Sequence, residues 1–328
     1  MPYTLLVGAL AGLVACAAPR VAKESTPSFA PLKLDPIVKV VPSAGLVWLI
    51  DARPREIFQD PTFGPVIETI VPSSRLATFA ERHGGLDVRA AAQLAVAVYP
   101  HATLILARLP FDPLRVEEAF GTRVGHVEGR AAERGVTTIW GNVPHAREQL
   151  ALLQREALAF EHGEPGPLRA AVFFAEGRLR RAAPALLAEP LASAVSSVGD
   201  APLRIFAPGP FEGEWARGAA GLLGASTAVV ATVRPVPRAQ GGAVALQVVL
   251  MGGWGADGPA AAERLRSAFG VLAEDALGQM VGMDHPIDGP TVFVDADALR
   301  LEVTLDASAL ARGIHIAADA SVAEIMSY

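Results

Sequence analysis

Ala243-Val244-Ala245-Leu246-Gln247-Val248-Val249-Leu250-Met251 is the stretch that decides the fold. Val244, Leu246, Val248 and Leu250 occupy every second position, the period of a strand with one face against a core. Gly252-Gly253 ends the run. A helix is expected next, capped by Asp257, with Leu265, Phe269 and Leu272 as its apolar stripe and Glu263, Arg264 and Arg266 facing water. Just upstream, Ala228 to Val233 is a second β-tending run placed to form a hairpin with the first. Paired strands followed by an amphipathic helix point to an α+β protein.

Reading outward, Leu203 to Phe206 is an earlier strand, and Phe211 to Leu223 is expected to be helical with Trp215, Ala219 and Leu222 aligned. Downstream, Thr291 to Asp295 and Leu299 to Leu305 form a strand pair, followed by a helix capped by Asp306. The first half repeats this order. Leu46 to Asp51 is a strand, and Ser73 or Ser74 caps a helix bearing Leu76, Phe79 and Ala80, closed by Gly84-Gly85. Ala92 to Tyr99 and Ala102 to Leu109 flank the turn Pro100-His101. Asp112-Pro113 starts a helix carrying Val116 and Phe120 and ended by Gly121. Val124 to Val127 and Val136 to Trp140 are a strand pair, Gln149 to Gln154 and Ala157 to Glu161 a further hairpin, and 167–199 is Ala- and Leu-rich and mostly helical. The expected architecture is α+β, a duplicated β-α-β-β-α-β-β unit with largely antiparallel sheets packed against helices. Residues 46–200 form the first unit and 201–328 the second. One continuous sheet is the alternative.

Composition removes several chemistries. Among 328 residues the lysines are Lys23, Lys33 and Lys39 alone. A body without lysine has no G-x-x-x-x-G-K-[ST] phosphate loop, no Ser-x-x-Lys acyl-enzyme site and no Schiff base. The net charge of −6 argues against nucleic acid as a partner. Cys16 is the single cysteine, so no disulfide forms within a monomer.

That cysteine lies near the end of an uncharged apolar run, Leu5 to Ala18, too short to cross a bilayer. No other stretch reaches eighteen consecutive apolar residues. Leu13-Val14-Ala15-Cys16 resembles the lipobox of bacterial lipoproteins, position for position, although Met1 to Thr4 lacks the Lys or Arg usual in such leaders. The resemblance implies cleavage before Cys16, lipidation of Cys16 (a diacylglyceryl thioether and an acylated amino terminus, palmitate among the expected chains) and anchoring to a membrane through that lipid. More than one acyl chain on a residue makes such attachment stable. Residues 1–16 are then the signal peptide. Residues 17–45, with prolines at 19, 27, 31, 36 and 42, are expected to be a flexible tether. Ala17, where enteric inner-membrane lipoproteins carry Asp, favours by analogy the outer membrane, facing the periplasm.

Candidate sites are sparse. Gly253-Trp254-Gly255-Ala256-Asp257-Gly258 matches G-x-G-x-x-G, but Asp257 at the helix start would repel a pyrophosphate, and the pattern reads as a glycine-rich turn. No cofactor or metal is expected. Asp284, His285 and Asp288 gather two carboxylates and an imidazole in one loop, the weak candidates for catalysis. His162 lies between Glu161 and Glu164. Asp51, Arg53 and Arg55, with Glu56, crowd the end of the first strand, a possible partner-binding site. Gly224-Ala225-Ser226 enters a strand, the wrong direction for a nucleophile elbow. Three functions remain in view: a non-enzymatic envelope module binding a protein or cell-wall partner, a carrier or sensor of a hydrophobic ligand, and an envelope hydrolase. A deep apolar cavity between sheet and helices would favour the carrier. A cleft joining His285 to carboxylates of the first half would favour the hydrolase. A broad exposed apolar patch would favour the interaction module.

Overall fold

The structure, a computed structural model, describes residues 31–179, 183–238 and 242–315. Strand β1 (Trp48–Ala52) precedes three short helices, α1 (Pro54–Gln59), α2 (Phe63–Ile70) and α3 (Ser73–Arg82). The hairpin β2 (Gln93–Tyr99) and β3 (Ala102–Arg108) leads into α4 (Pro113–Val124). A meander follows: β4 (Val127–Glu133), β5 (Val136–Val143), β6 (Ala146–Leu153) and β7 (Ala157–Gly163). After α5 (Pro167–Ala175) and α6 (Leu191–Ser196) come β8 (Leu203–Pro208) and the paired β9 (Ala228–Val236) and β10 (Ala243–Met251). The chain then forms α7 (Gly258–Glu274), α8 (Ala276–Met280), β11 (Asp288–Val294), β12 (Ala298–Asp306) and a helix α9 over residues 307–315.

These twelve strands make one antiparallel sheet in the order β11-β12-β10-β9-β8-β1-β2-β3-β7-β6-β5-β4. The α+β class is therefore the observed one. The expected units 46–200 and 201–328 do not build separate sheets. They meet where β1 pairs with β8, Leu49 opposite Phe206, which leaves neither strand an unpaired inner edge. From that seam the sheet runs outward as β1-β2-β3 on one side and β8-β9-β10 on the other. Each of these triplets is followed by a helix, α4 or α7. The first side carries the additional β6-β7 hairpin.

Several local expectations need correction, among them the strand expected over Val124 to Val127: α4 runs to Val124, and the strand β4 begins only at Val127 and continues to Glu133. The helix expected over Phe211 to Leu223 is replaced by two 3-10 turns, Trp215–Arg217 and Leu223–Ala225. Ala219, Ala220 and Gly221 take φ of +50°, +55° and +82°, a left-handed run that no α-helix continues through. Helix α4 does not stop at Gly121 but at Gly125, whose φ of +70° suits glycine. Its start is as expected, since Asp112 accepts from the Leu114 N–H at 3.0 Å and Pro113 follows. In α7 the stripe is Ala262, Leu265, Phe269 and Ala273, while Leu272 is exposed. Asp257 ends a 3-10 turn without capping through its side chain.

The expected tether also ends earlier than residue 45. Leu34, Ile37, Val38, Val40 and Val41 are buried in the main core. Ile37 N–H donates to Gln93 Oε1 at 2.8 Å, and the Tyr99 hydroxyl donates to the Pro42 carbonyl at 2.9 Å. Proline denies this segment regular pairing but not burial, and five aliphatic side chains supply roughly 1.5–3 kcal/mol each on leaving water. Together with α5, α6 and residues 185–187, this segment covers one face of the sheet. Helices α1, α2, α4, α7 and α9 cover the other.

Candidate functional site

On the α4 side of that second face, the sheet and its helices do not close. Leu94 of β2, Ile105 and Ala107 of β3, Leu150 of β6, and Leu158 and Phe160 of β7 form the floor of a cavity of about 290 Å³. Alternation places these side chains on one face of adjacent strands, with Ala107 opposite Leu158, and Leu150 opposite Phe160. Val116, Ala119, Phe120 and Arg123 of α4 form one wall. Phe79 of α3 and His83 just after it, with Leu86, Val88 and Ala91 beyond, form the other. Of the sixteen lining residues all but His83 and Arg123 are apolar.

Helix α3 explains the opening. It has the apolar stripe expected of Leu76, Phe79 and Ala80, yet none of its residues is buried, and Phe79 is 39% exposed. Neither Ser73 nor Ser74 caps it; Pro72 precedes it, and the Ser73 hydroxyl donates to Glu68 at 2.5 Å. Its far end is fixed to α4. Gly84, at φ +70°, lies so close that a Cβ would stand 2.5 Å from the Arg115 carbonyl oxygen. Only glycine permits both that backbone and that approach. His83 stacks on Phe79 with ring centroids 4.0 Å apart, and its Nδ1–H donates to the Phe79 carbonyl at 2.8 Å.

The polar end of the cavity is an ion pair. Arg123 donates from Nε and Nη2 to Glu148 at 2.7 and 2.8 Å, a bidentate arrangement. Glu148 is wholly buried and also faces His162 Nδ1 at 3.1 Å. Burial works to raise the Glu148 carboxyl, but the hydrogen bonds from Arg123 and His162 outweigh it and hold the group below the usual carboxylate range. The guanidinium lies 5.7 Å from the centre of the Phe160 ring. Arg123 spends two N–H groups on Glu148 and keeps others that can meet a polar group at the mouth. Among the described residues the lining contains no Ser, Thr, Cys, Lys or carboxylate, so the chemistry it offers is enclosure of apolar matter beside a fixed cation.

The residues singled out in the sequence lie elsewhere. Asp51 is buried and paired with Arg204; Arg53 pairs with Glu56 at 3.0 Å and Asp200 at 2.9 Å. Arg55 donates to the Ala90 carbonyl at 2.8 Å. These charges bind parts of their own chain to one another. The His285 side chain is 91% exposed and lies 3.5 Å from Asp284, while Asp288 sits on edge strand β11. The three do not converge, and no group of three potential metal ligands occurs among the described residues. Glu161, beside His162 in sequence, points to the opposite face and caps α5, accepting from the Leu168 N–H at 2.8 Å. Cys16 lies outside the described residues. Phe79, Val116 and Phe120 were legible as apolar stripes, but nothing in their spacing shows that two stripes face one hollow. Arg123 and Glu148 carried no signal, being 25 positions apart on a helix and a strand.

No helix among the described residues is long and apolar enough to cross a membrane. No protein-family model matches the chain, and no curated protein matches it. Among solved structures, crystal form I of TP0453 aligns with a TM-score of 0.46 at 12% identity, over 88% of this chain and 98% of that one, a likeness too distant to transfer a function.

Proposed function

We propose that this chain is a lipid-anchored envelope protein whose cavity carries a hydrophobic ligand. The cavity carries the reading: an apolar hollow between sheet and helices, bounded by an α3 with no buried residue, is what a carrier needs. Of the three functions compatible with the sequence, this feature favours the carrier. Its volume lies near the lower end of ligand pockets, roughly 300–1,000 Å³. That suits a single hydrocarbon chain, with a carbonyl or carboxylate head meeting the free N–H groups of Arg123. The lipobox resemblance of Leu13 to Cys16 supports the location, and a body held at the membrane by Cys16 would meet such ligands where they reside.

The test of the carrier is titration with cis-parinaric acid, followed by fluorescence. The wild-type chain is expected to bind it saturably. Ala119→Trp, which fills the cavity from the half-exposed face of α4, is expected to lose at least tenfold in affinity with an unchanged melting temperature. Equal binding by that folded variant, or none by the wild type, would remove the carrier reading. The anchor is tested separately by labelled palmitate, expected on the wild type and absent from Cys16→Ser; no label on the wild type would refute it.

A further inference from the structure

A second cavity, of about 280 Å³, lies on the other face of the sheet over β9, β10, β12 and β11. Nearer the middle of the sheet that face is packed under α5, α6 and residues 34–41. Here the strand register sets a polar row across the sheet: Thr232 beside Gln247, Gln247 beside Glu302, Glu302 beside Thr291. One step along, Arg234, Ala245, Thr304 and Asp288 form a parallel row. Adjacent side chains in such rows lie about 5 Å apart at Cβ, close enough to act on one small molecule. Ala245 keeps the floor low between them.

The rows are incompletely bonded. Gln247 donates from Nε2 to Glu302 at 2.8 Å, but Gln247 Oε1, Thr232 Oγ1 and Arg234 Nε are buried without a hydrogen-bond partner among the described residues. Thr232 is 1% exposed. A buried polar atom left unpaired costs about 1–3 kcal/mol, and three residues lining this one cavity carry such an atom, which the hydroxyl of a bound molecule could satisfy. The chemistry asks for a ligand that both donates and accepts. It must donate to Gln247 Oε1 and the Glu302 and Asp288 carboxylates, and accept from Arg234, with Thr232 able to do either. Two carboxylates against one guanidinium disfavour an anion. Phe293, 45% exposed at the cavity, offers a ring to a flat C–H face.

We propose that this cavity binds a saccharide, its hydroxyls completing the hydrogen bonds of Thr232, Gln247 and Arg234 and one ring face resting on Phe293. Asp288, which the sequence offered for catalysis, serves here as an acceptor at the edge of the site. The proposal stands independently of the apolar cavity on the opposite face.

The experiment is saturation-transfer NMR on the full chain with glucose and N-acetylglucosamine, with glycine and inorganic phosphate as comparison ligands. Transfer to at least one sugar is expected. Thr232→Val and Gln247→Met keep the shape of the row and are expected to weaken that sugar about tenfold in variants that still unfold cooperatively, Thr232→Val with a melting temperature no lower than wild type. Ala119→Trp is expected to leave sugar binding intact, so failure here and failure of the carrier reading are distinguishable. Transfer to neither sugar, equal affinity in both folded row variants, or binding of glycine or phosphate in preference would overturn the proposal. So would a crystal soaked at saturating sugar that shows only water bonded to the three atoms.

Discussion

The α4 and α7 flanks of the sheet are built alike and finished differently. Each is a helix laid over the same face just after a hairpin. Under α7 the space is filled: Leu265 and Phe269 meet Leu222, Trp254, Leu299 and Leu301, and the Trp254 indole N–H donates to the Leu250 carbonyl at 3.0 Å. Under α4, Val116 and Phe120 meet a floor that leaves about 290 Å³, bounded by a helix that buries nothing. The lesson is that the α7 flank serves stability, while the α4 flank gives up packing to keep a volume open.

The sharpest way to break that contrast is to truncate an aromatic on each side. Phe269→Ala is expected to cost about 3–5 kcal/mol in urea unfolding, whereas Phe79→Ala, at the cavity wall, should cost under about 1 kcal/mol. Equal losses would erase the distinction between flanks. Next in size, Glu148→Ala should cost about 1.5–3 kcal/mol, because it removes the buried carboxylate that holds the half-exposed Arg123 through two charge-assisted hydrogen bonds. Gly84→Ala follows at about 1–3 kcal/mol, the strain of the left-handed backbone plus contact with the Arg115 carbonyl. Faster amide exchange in residues 73–86 than in α7 would locate that loss. The smallest effect belongs to Ala119→Trp, within about 1 kcal/mol of wild type, since it fills space already present.

Two buried carboxylates on opposite faces sharpen the comparison through pH. Glu148 is held low, so its contribution is present above the ordinary carboxylate range and is lost as pH falls through its depressed pKa. Glu161 is pushed up, chiefly by burial, against the hydrogen bonds from Leu168 and Gly166. Its contribution is therefore present at low pH and is lost as pH rises through its raised value. Melting curves between about pH 3 and pH 6 should show Glu148→Gln with less acid sensitivity than wild type, and Glu161→Gln with more. The reverse order would mean that the two environments are misassigned.

Period-two alternation in 243–251, and apolar β-tending runs on either side of the turn Pro100-His101 in the first half, were enough to place these strands. Helix α4 was legible from Asp112-Pro113. The Phe211 to Leu223 segment was misread because aligned Trp215, Ala219 and Leu222 look helical, while the left-handed turn at Ala219 and Ala220 leaves no trace in residue type. The end of the tether was misread because prolines at 36 and 42 hide the apolar residues between them. Of the candidate sites, Asp51, Arg53 and Arg55 were visible as charges, but whether a charge meets its own chain or a partner is decided by distant residues such as Asp200 and Arg204.

By itself the sequence determined the α+β class, most of the strands, and helices α3, α4 and α7, since these follow from short-range periodicity. It also carries Leu13-Val14-Ala15-Cys16, the stretch from which the anchor is proposed. Only the tertiary structure decided that the two halves share one sheet, that α3 and α4 leave a hollow between them, and that Thr232, Gln247, Glu302 and Thr291 stand in one row. Cavities and cross-strand rows depend on register and on how far helices stand from the sheet, distances set by residues remote along the chain.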